Sequence, residues 1–187
     1  MRQTLPMAVF ILFLTACNLQ VKDSADKSSG LSYTVPDDAA ITKAVHDAYS
    51  SICFKNSNPA YDSIKHYFIP EAQLINFRTD SAVVTTLPQF VDLYRQFLQT
   101  NKVTLFYEEE IAGRNEQFGN IAHRISSYKT FLNQMDSASE RGVNSFQLIK
   151  TPNGWKVSSI IWDVEKPQLP IPAYYLIGLG SLNAKRR

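Results

Sequence analysis

Three runs near the end of the chain decide its architecture: FGNIAHRISSYKTF at 118–131, ERGVNSFQLIK at 140–150 and GWKVSSIIWDVE at 154–165. Each is rich in Val, Ile, Tyr, Phe and Trp and is bounded by Gly, Pro, Asn or Asp, the composition of antiparallel strands joined by tight turns. The last two are separated by the Thr151-Pro152-Asn153-Gly154 turn. Linked strands this long form a curved sheet with two faces to fill.

Working back from these strands, the run from Lys102 to Ala112 is a fourth, turned into the meander by Gly113-Arg114-Asn115. Before it, Phe90, Leu93, Tyr94, Phe97 and Leu98 make a one-sided stripe that predicts a helix from Pro88 to Gln99. Ala72 to Arg78 and Ala82 to Thr85 flank Thr79-Asp80-Ser81 and predict a hairpin. Asn58-Pro59 starts a short helix carrying Tyr61, Ile64 and Phe68, which Ile69-Pro70 stops. The first helix covers 38–53, with Asp37 and Asp38 as candidate caps and Ile41, Val45, Ala48, Tyr49 and Ile52 on one side. Helix, helix, hairpin, helix and four long strands is a segregated α+β order, with the helices on one face of the sheet.

The N-terminus has a different purpose. Arg2 precedes an apolar run from Met7 to Leu14, far below the roughly 20 residues that span a bilayer. The run ends in Leu14-Thr15-Ala16-Cys17, which resembles the lipobox of bacterial lipoproteins, with 1–16 as signal peptide and Cys17 as the lipidated first residue. The resemblance implies a cell-envelope protein held to the membrane by acyl chains on Cys17, on the periplasmic or extracytoplasmic side. Residues 17–36 are polar and rich in Ser, Lys and Asp, the composition of a flexible linker. Lipidation of Cys17 leaves Cys53 as the only thiol, so no internal disulfide forms; its place on a helical stripe predicts a packed thiol.

Composition narrows the function classes. The 187 residues are 44% hydrophobic and 12% aromatic, enough for one domain with a sizeable core. Nineteen basic against seventeen acidic residues leave a formal charge of +2, which gives no field to gather nucleic acid. His46, His66 and His123 lie far apart without a metal-ligand motif, and no phosphate loop, nucleophile elbow or cofactor fingerprint occurs.

The element order resembles the NTF2-like superfamily, the cone fold of nuclear transport factor 2, ketosteroid isomerase, scytalone dehydratase and the polyketide cyclases of the SnoaL type. The residues that carry the likeness are Phe118 to His123, Arg141 to Leu148 and Gly154 to Val157, within a domain at 37–165 followed by a tail at 166–187. The resemblance implies a mostly antiparallel cone, three helices over one face and a pocket between them. In the isomerase branch a strand aspartate is the base and a helix-one tyrosine an oxyanion donor. Tyr49 matches the tyrosine, but the strand reads Leu74-Ile75-Asn76-Phe77, and Asn76 cannot take a proton as a carboxylate does.

Alternation supplies other candidates. Glu109 shares a face with Leu105, Tyr107 and Ile111, and His123 with Ile121 and Ile125, so each either enters the pocket as an acid or base or is a solvated or core residue. Tyr128 and Asp163 fall near the strand ends where such a cone opens. Two readings follow: a tethered module that binds a small hydrophobic ligand or assembles with a partner, and a pocket enzyme of lyase or isomerase type using Glu109 or His123 with Tyr49. On the last strand, Trp155, Val157 and Ile161 are expected to face the helices, leaving Ile160 and Trp162, with Phe146, on an outer patch. Either a homodimer or the tail, with Leu169, Ile171, Tyr174, Tyr175, Leu176 and Ile177, would cover it.

Overall fold

The computed structural model describes residues 34–177; Cys17, the signal segment and most of the linker lie outside the described residues. Helix α1 spans Asp38–Ser51 and buries Ile41, Val45, Ala48 and Tyr49, the expected spacing of three and four. Asp37 holds the N-cap position without a side-chain capping bond. Its carboxylate instead accepts from Lys150 at 2.8 Å, Gln117 at 3.0 Å and the Trp155 indole at 3.3 Å, which ties the helix start to the sheet.

Strand β1 (Phe54–Lys55) leads to α2 (Tyr61–Ile64) and a 3-10 turn, Lys65–Tyr67. The second helix is shorter than expected, because Phe68 already opens β2 (Phe68–Asn76). Pro70 does not stop the helix but lies inside β2, where the register slips between Phe68 and Gln73 and leaves room for a residue without an N–H. β3 (Val83–Thr86) closes the expected hairpin. Thr86 then caps α3 (Leu87–Thr100) through a capping box with Gln89, with proline in the first turn.

Four long antiparallel strands complete the fold: β4 (Leu105–Phe118), β5 (Ile121–Leu132), β6 (Glu140–Thr151) and β7 (Gly154–Val164). The sheet order is β1-β4-β5-β6-β7-β2-β3, unclosed, with β2 against β7 as its parallel pair. Helices and concave face share one apolar cluster that includes Ile41, Val45, Leu74, Phe146, Leu148 and Val157.

Two departures from the expected facing have physical causes. Gly113-Arg114-Asn115 is not a turn; β4 runs straight through it and turns at Gly119-Asn120. A Cβ on Gly113 would strike the guanidinium of Arg124 and the carboxylate of Glu110, so this glycine makes room for an ion pair. On β7, Trp155 and Val157 face the helices as expected, but the register slips opposite Gln147 and Leu148, with Ser158 as the extra residue. That bulge turns Ile160 and Trp162 inward and Ile161 outward, and Phe146 is 1% exposed, so the expected outer patch is not built from these residues. The tail lies on the outer face instead, where the Ser127 hydroxyl donates to the Tyr175 carbonyl at 2.6 Å and the Arg114 guanidinium sits 4.4 Å from the Tyr174 ring centre.

Candidate functional site

The sheet's concave face and the helices enclose a cavity of about 440 Å³. Aromatic rings supply much of its wall: Phe90 from α3 stacks on Tyr94, 6.2 Å between centres, and meets Trp162 of β7 edge-on at 6.4 Å. Tyr94 meets Phe106 at 5.2 Å, and Tyr49 meets Phe146 at 5.6 Å. Leu93 and Phe97, expected in the buried stripe of α3, are 51% and 38% exposed and also line the cavity, marking its open side.

Polar groups enter from three directions. On β4, Glu108 lines the cavity and accepts from the Thr130 hydroxyl at 2.7 Å; among the described residues no donor reaches its other oxygen. Burial pushes its carboxyl up to about 7, with the Thr130 bond opposing. Arg78 grips Glu140 with a two-point fork, both bonds 2.8 Å, and Tyr128 donates to the same carboxylate at 2.9 Å. Gly142 makes room for the Tyr128 ring, since a Cβ there would overlap the ring's edge and hydroxyl as well as the Asp163 carbonyl.

The third group reaches the cavity wall only through Tyr49 and Asn144, at the end of a chain running under α1. Arg124, its side chain 6% exposed, forks onto Glu110 at 2.5 and 2.8 Å and donates to Asn115 at 2.7 Å. Burial alone would raise the Glu110 carboxyl, but the bonds from Arg124 and Ser126 and the Arg124 charge outweigh it and hold it below the ordinary value. Ser126 donates to Glu110 at 2.6 Å and meets the Tyr49 hydroxyl at 2.8 Å, which in turn receives the Asn144 amide at 2.8 Å. At the surface, His46 lies 3.2 Å from Glu110.

Of the residues singled out by sequence, Tyr49, Tyr128 and Asn76 line this cavity. Glu109 does not; it points outward, 2.8 Å from Lys129 and within 3.2 Å of the Tyr107 hydroxyl. His123 lies on the same outer face, 3.0 Å from Ser145, and Asp163 pairs with Lys166 at 3.3 Å near the end of β7. The facing of β4 is the reverse of that expected: Phe106, Glu108 and Glu110 turn inward, and on β5 Arg124, Ser126 and Tyr128 do so in place of His123. Glu108, Arg78, Glu140 and Asn144 are the site residues that sequence reasoning missed. Cys53 shares its one S–H weakly between the Tyr49 and Glu108 carbonyls at 3.2 and 3.4 Å, and burial pushes its thiol up to about 11, so it is an unreactive packed thiol. Among the described residues no three His, Cys, Asp or Glu side chains are grouped to hold a metal ion.

Chemically, Glu108 is a group that can hold or release a proton near neutrality within an apolar enclosure. Burial raises the Tyr49 phenol, and that hydroxyl is engaged on both sides.

Neither a protein-family model nor a curated protein matches the chain. Solved structures do. The chain is similar to a candidate aromatic ring hydroxylase from Novosphingobium aromaticivorans at 11% identity, covering 72% of this chain and 93% of that one with a TM-score of 0.56. It is similar to a candidate ketosteroid isomerase from Parabacteroides distasonis at 15% identity, covering 75% and 95%, TM-score 0.51. An NTF2-like protein of unknown function from Shewanella baltica matches at 16% identity over 72% and 99%, TM-score 0.50. Three helices on a curved, unclosed, seven-stranded sheet among the described residues, together with these likenesses, give the chain an NTF2-like α+β cone fold.

Proposed function

We propose that this domain binds a small, mostly apolar ligand in its cone cavity, and that it does so at the bacterial envelope, tethered by lipid on Cys17. The observation that carries the binding half is the cavity itself: about 440 Å³ walled by Phe90, Tyr94, Phe106, Phe146 and Trp162, with few polar groups. That is the size and lining of a small-molecule site, where apolar walls supply affinity and a few polar groups fix orientation. Naphthalene, titrated by calorimetry into the full chain, is expected to bind, and Leu93→Trp at the open side is expected to weaken it at least about tenfold without lowering the melting temperature. Equal binding by both proteins would remove the cavity from consideration.

The tether rests on the Leu14 to Cys17 tetrad after a short apolar run. Cys17→Ser is expected to move the protein from the membrane fraction to the soluble fraction, since an acyl chain contributes about 0.8 kcal/mol per buried CH₂. A variant that sediments with membranes just as the wild type does would sink the lipoprotein reading.

A second reading makes the same cavity an acid/base site with Glu108 in the role first considered for Glu109 and His123. The near-neutral carboxyl favours it. Against it stands Tyr49, whose hydroxyl proton is not free to support a developing oxyanion, and Asn76 at the place where the isomerase branch carries its base. Binding is therefore the reading the residues support better.

A further inference from the structure

The hydrogen bonds beneath α1 have a direction, and it can be followed from the buried ion pair to the cavity wall. Glu110, held ionised by the Arg124 fork, can only accept. The Ser126 hydroxyl donates to it at 2.6 Å, and a hydroxyl has a single proton, so Ser126 can only accept from Tyr49 at 2.8 Å. Tyr49 has then committed its one proton, and its 2.8 Å contact with Asn144 requires the amide N–H to donate. The choice between the two ends of the Asn144 amide is thus fixed by the ion pair, three hydrogen bonds away.

One consequence falls on the cavity. Asn144 is 5% exposed and lines the cavity, and its carbonyl oxygen receives no donor from the described residues. No buried side-chain oxygen or nitrogen among them lacks a partner, so this oxygen is open to the cavity. An apolar ligand that displaced water from this oxygen would leave it buried and unpaired, which is costly, whereas a ligand that supplies a proton there keeps it satisfied. A ketone or ether at the same place would set oxygen against oxygen. The sense is the reverse of an oxyanion site, which presents protons to the ligand.

We propose that the ligand of this cavity carries a hydrogen-bond donor, a hydroxyl or amino group, at the end that meets Asn144. This rests on the cavity being a binding site and adds the polarity of its ligand. The test compares 2-naphthol with 2-methoxynaphthalene, which keeps the oxygen and loses the proton, and with 2-ethylnaphthalene as a size control, all titrated into the full chain. Wild type is expected to prefer 2-naphthol by about tenfold, one hydrogen bond's worth, and to bind 2-methoxynaphthalene no better than 2-ethylnaphthalene. Asn144→Leu should abolish that preference. Ser126→Ala should also collapse it, because Tyr49 regains its proton, offers it to the Asn144 carbonyl and turns the amide N–H toward the cavity.

Three results would overturn the proposal, and they are distinguishable. Equal affinity for all three ligands in wild type leaves the cavity as a binding site and removes the donor. A preference for 2-naphthol that survives Asn144→Leu places its recipient elsewhere, with Glu108 the next acceptor. Binding of none of the three overturns the cavity reading and this proposal together. The wild-type comparison needs no variant to fold.

Discussion

Replacing Arg124 by methionine is expected to destabilise the domain by about 3–5 kcal/mol, the loss seen when one partner of a buried ion pair is removed. Arg124 is enclosed by α1, β4 and β5 and serves Glu110, Asn115 and Thr42 at 2.5 to 3.1 Å. The loss comes less from missing attraction than from what remains: Glu110, its side chain 9% exposed, would have to stay charged with only Ser126 and His46 near, or take up a proton. In a domain of this size the melting temperature should fall by roughly 10 °C. The paired variant, Arg124→Met with Glu110→Met, should recover most of that stability, because it leaves no uncompensated charge. A single-variant loss below about 1 kcal/mol by urea titration would show that water reaches the pair and screens it.

That pair also explains where the sequence could be read and where it misled. The α+β order, the hairpin, the faces of α1 and the four long strands were legible because each rests on local signals: caps, turn residues and period. Facing on β4 and β5 was not. Alternation assigns the apolar set inward, and on these strands the apolar residues Tyr107, Ile111, Ile121 and Ile125 are the outer set. Polar residues go inside because they arrive already paired, Arg124 with Glu110 and Glu108 with Thr130, and a pairing between strands has no signature along one chain. Gly113 resembles a turn residue for the same cause, since its role is to clear space for Arg124 of the neighbouring strand and Glu110 of its own. The bulge at Ser158 then moved Ile160 and Trp162 from one face to the other, as a one-residue slip must. Tyr49 and Tyr128 were found because a tyrosine on a helix face or strand end is visible by position. Glu108 is hidden in the sequence because its neighbour Glu109 shares its parity with more apolar residues, although the triple Glu108-Glu109-Glu110 requires that one parity bring carboxylates inward.

Glu108→Gln is expected to stabilise the protein at pH 8 and to leave it unchanged near pH 4.5. Burial raises this carboxyl from an ordinary 4.5 to about 7, with Glu140 adding to the rise and Thr130 and Arg78 opposing it. The folded state therefore holds the proton more tightly than the unfolded chain does. Below the unfolded value both states are protonated and the buried acid carries no charge penalty. As pH rises from about 4.5 to about 7, the unfolded chain ionises first and stability falls; above 7 the penalty is complete and constant. The span corresponds to on the order of 3 kcal/mol, and screening at the cavity's open side brings it nearer 2. Glutamine keeps the shape and still accepts from Thr130, so the difference between variant and wild type isolates the ionisation of Glu108 while every other titrating group cancels. Chemical denaturation of both proteins at several pH values should give a difference that grows through the interval and then levels. A difference that is flat from pH 4.5 to 8 would mean that bulk water reaches Glu108, and a cavity that wet would bind apolar ligands only feebly. The same titration with saturating naphthalene adds a check on function: a ligand that displaces water from beside Glu108 must raise its pKa further, and the levelling point should move to higher pH.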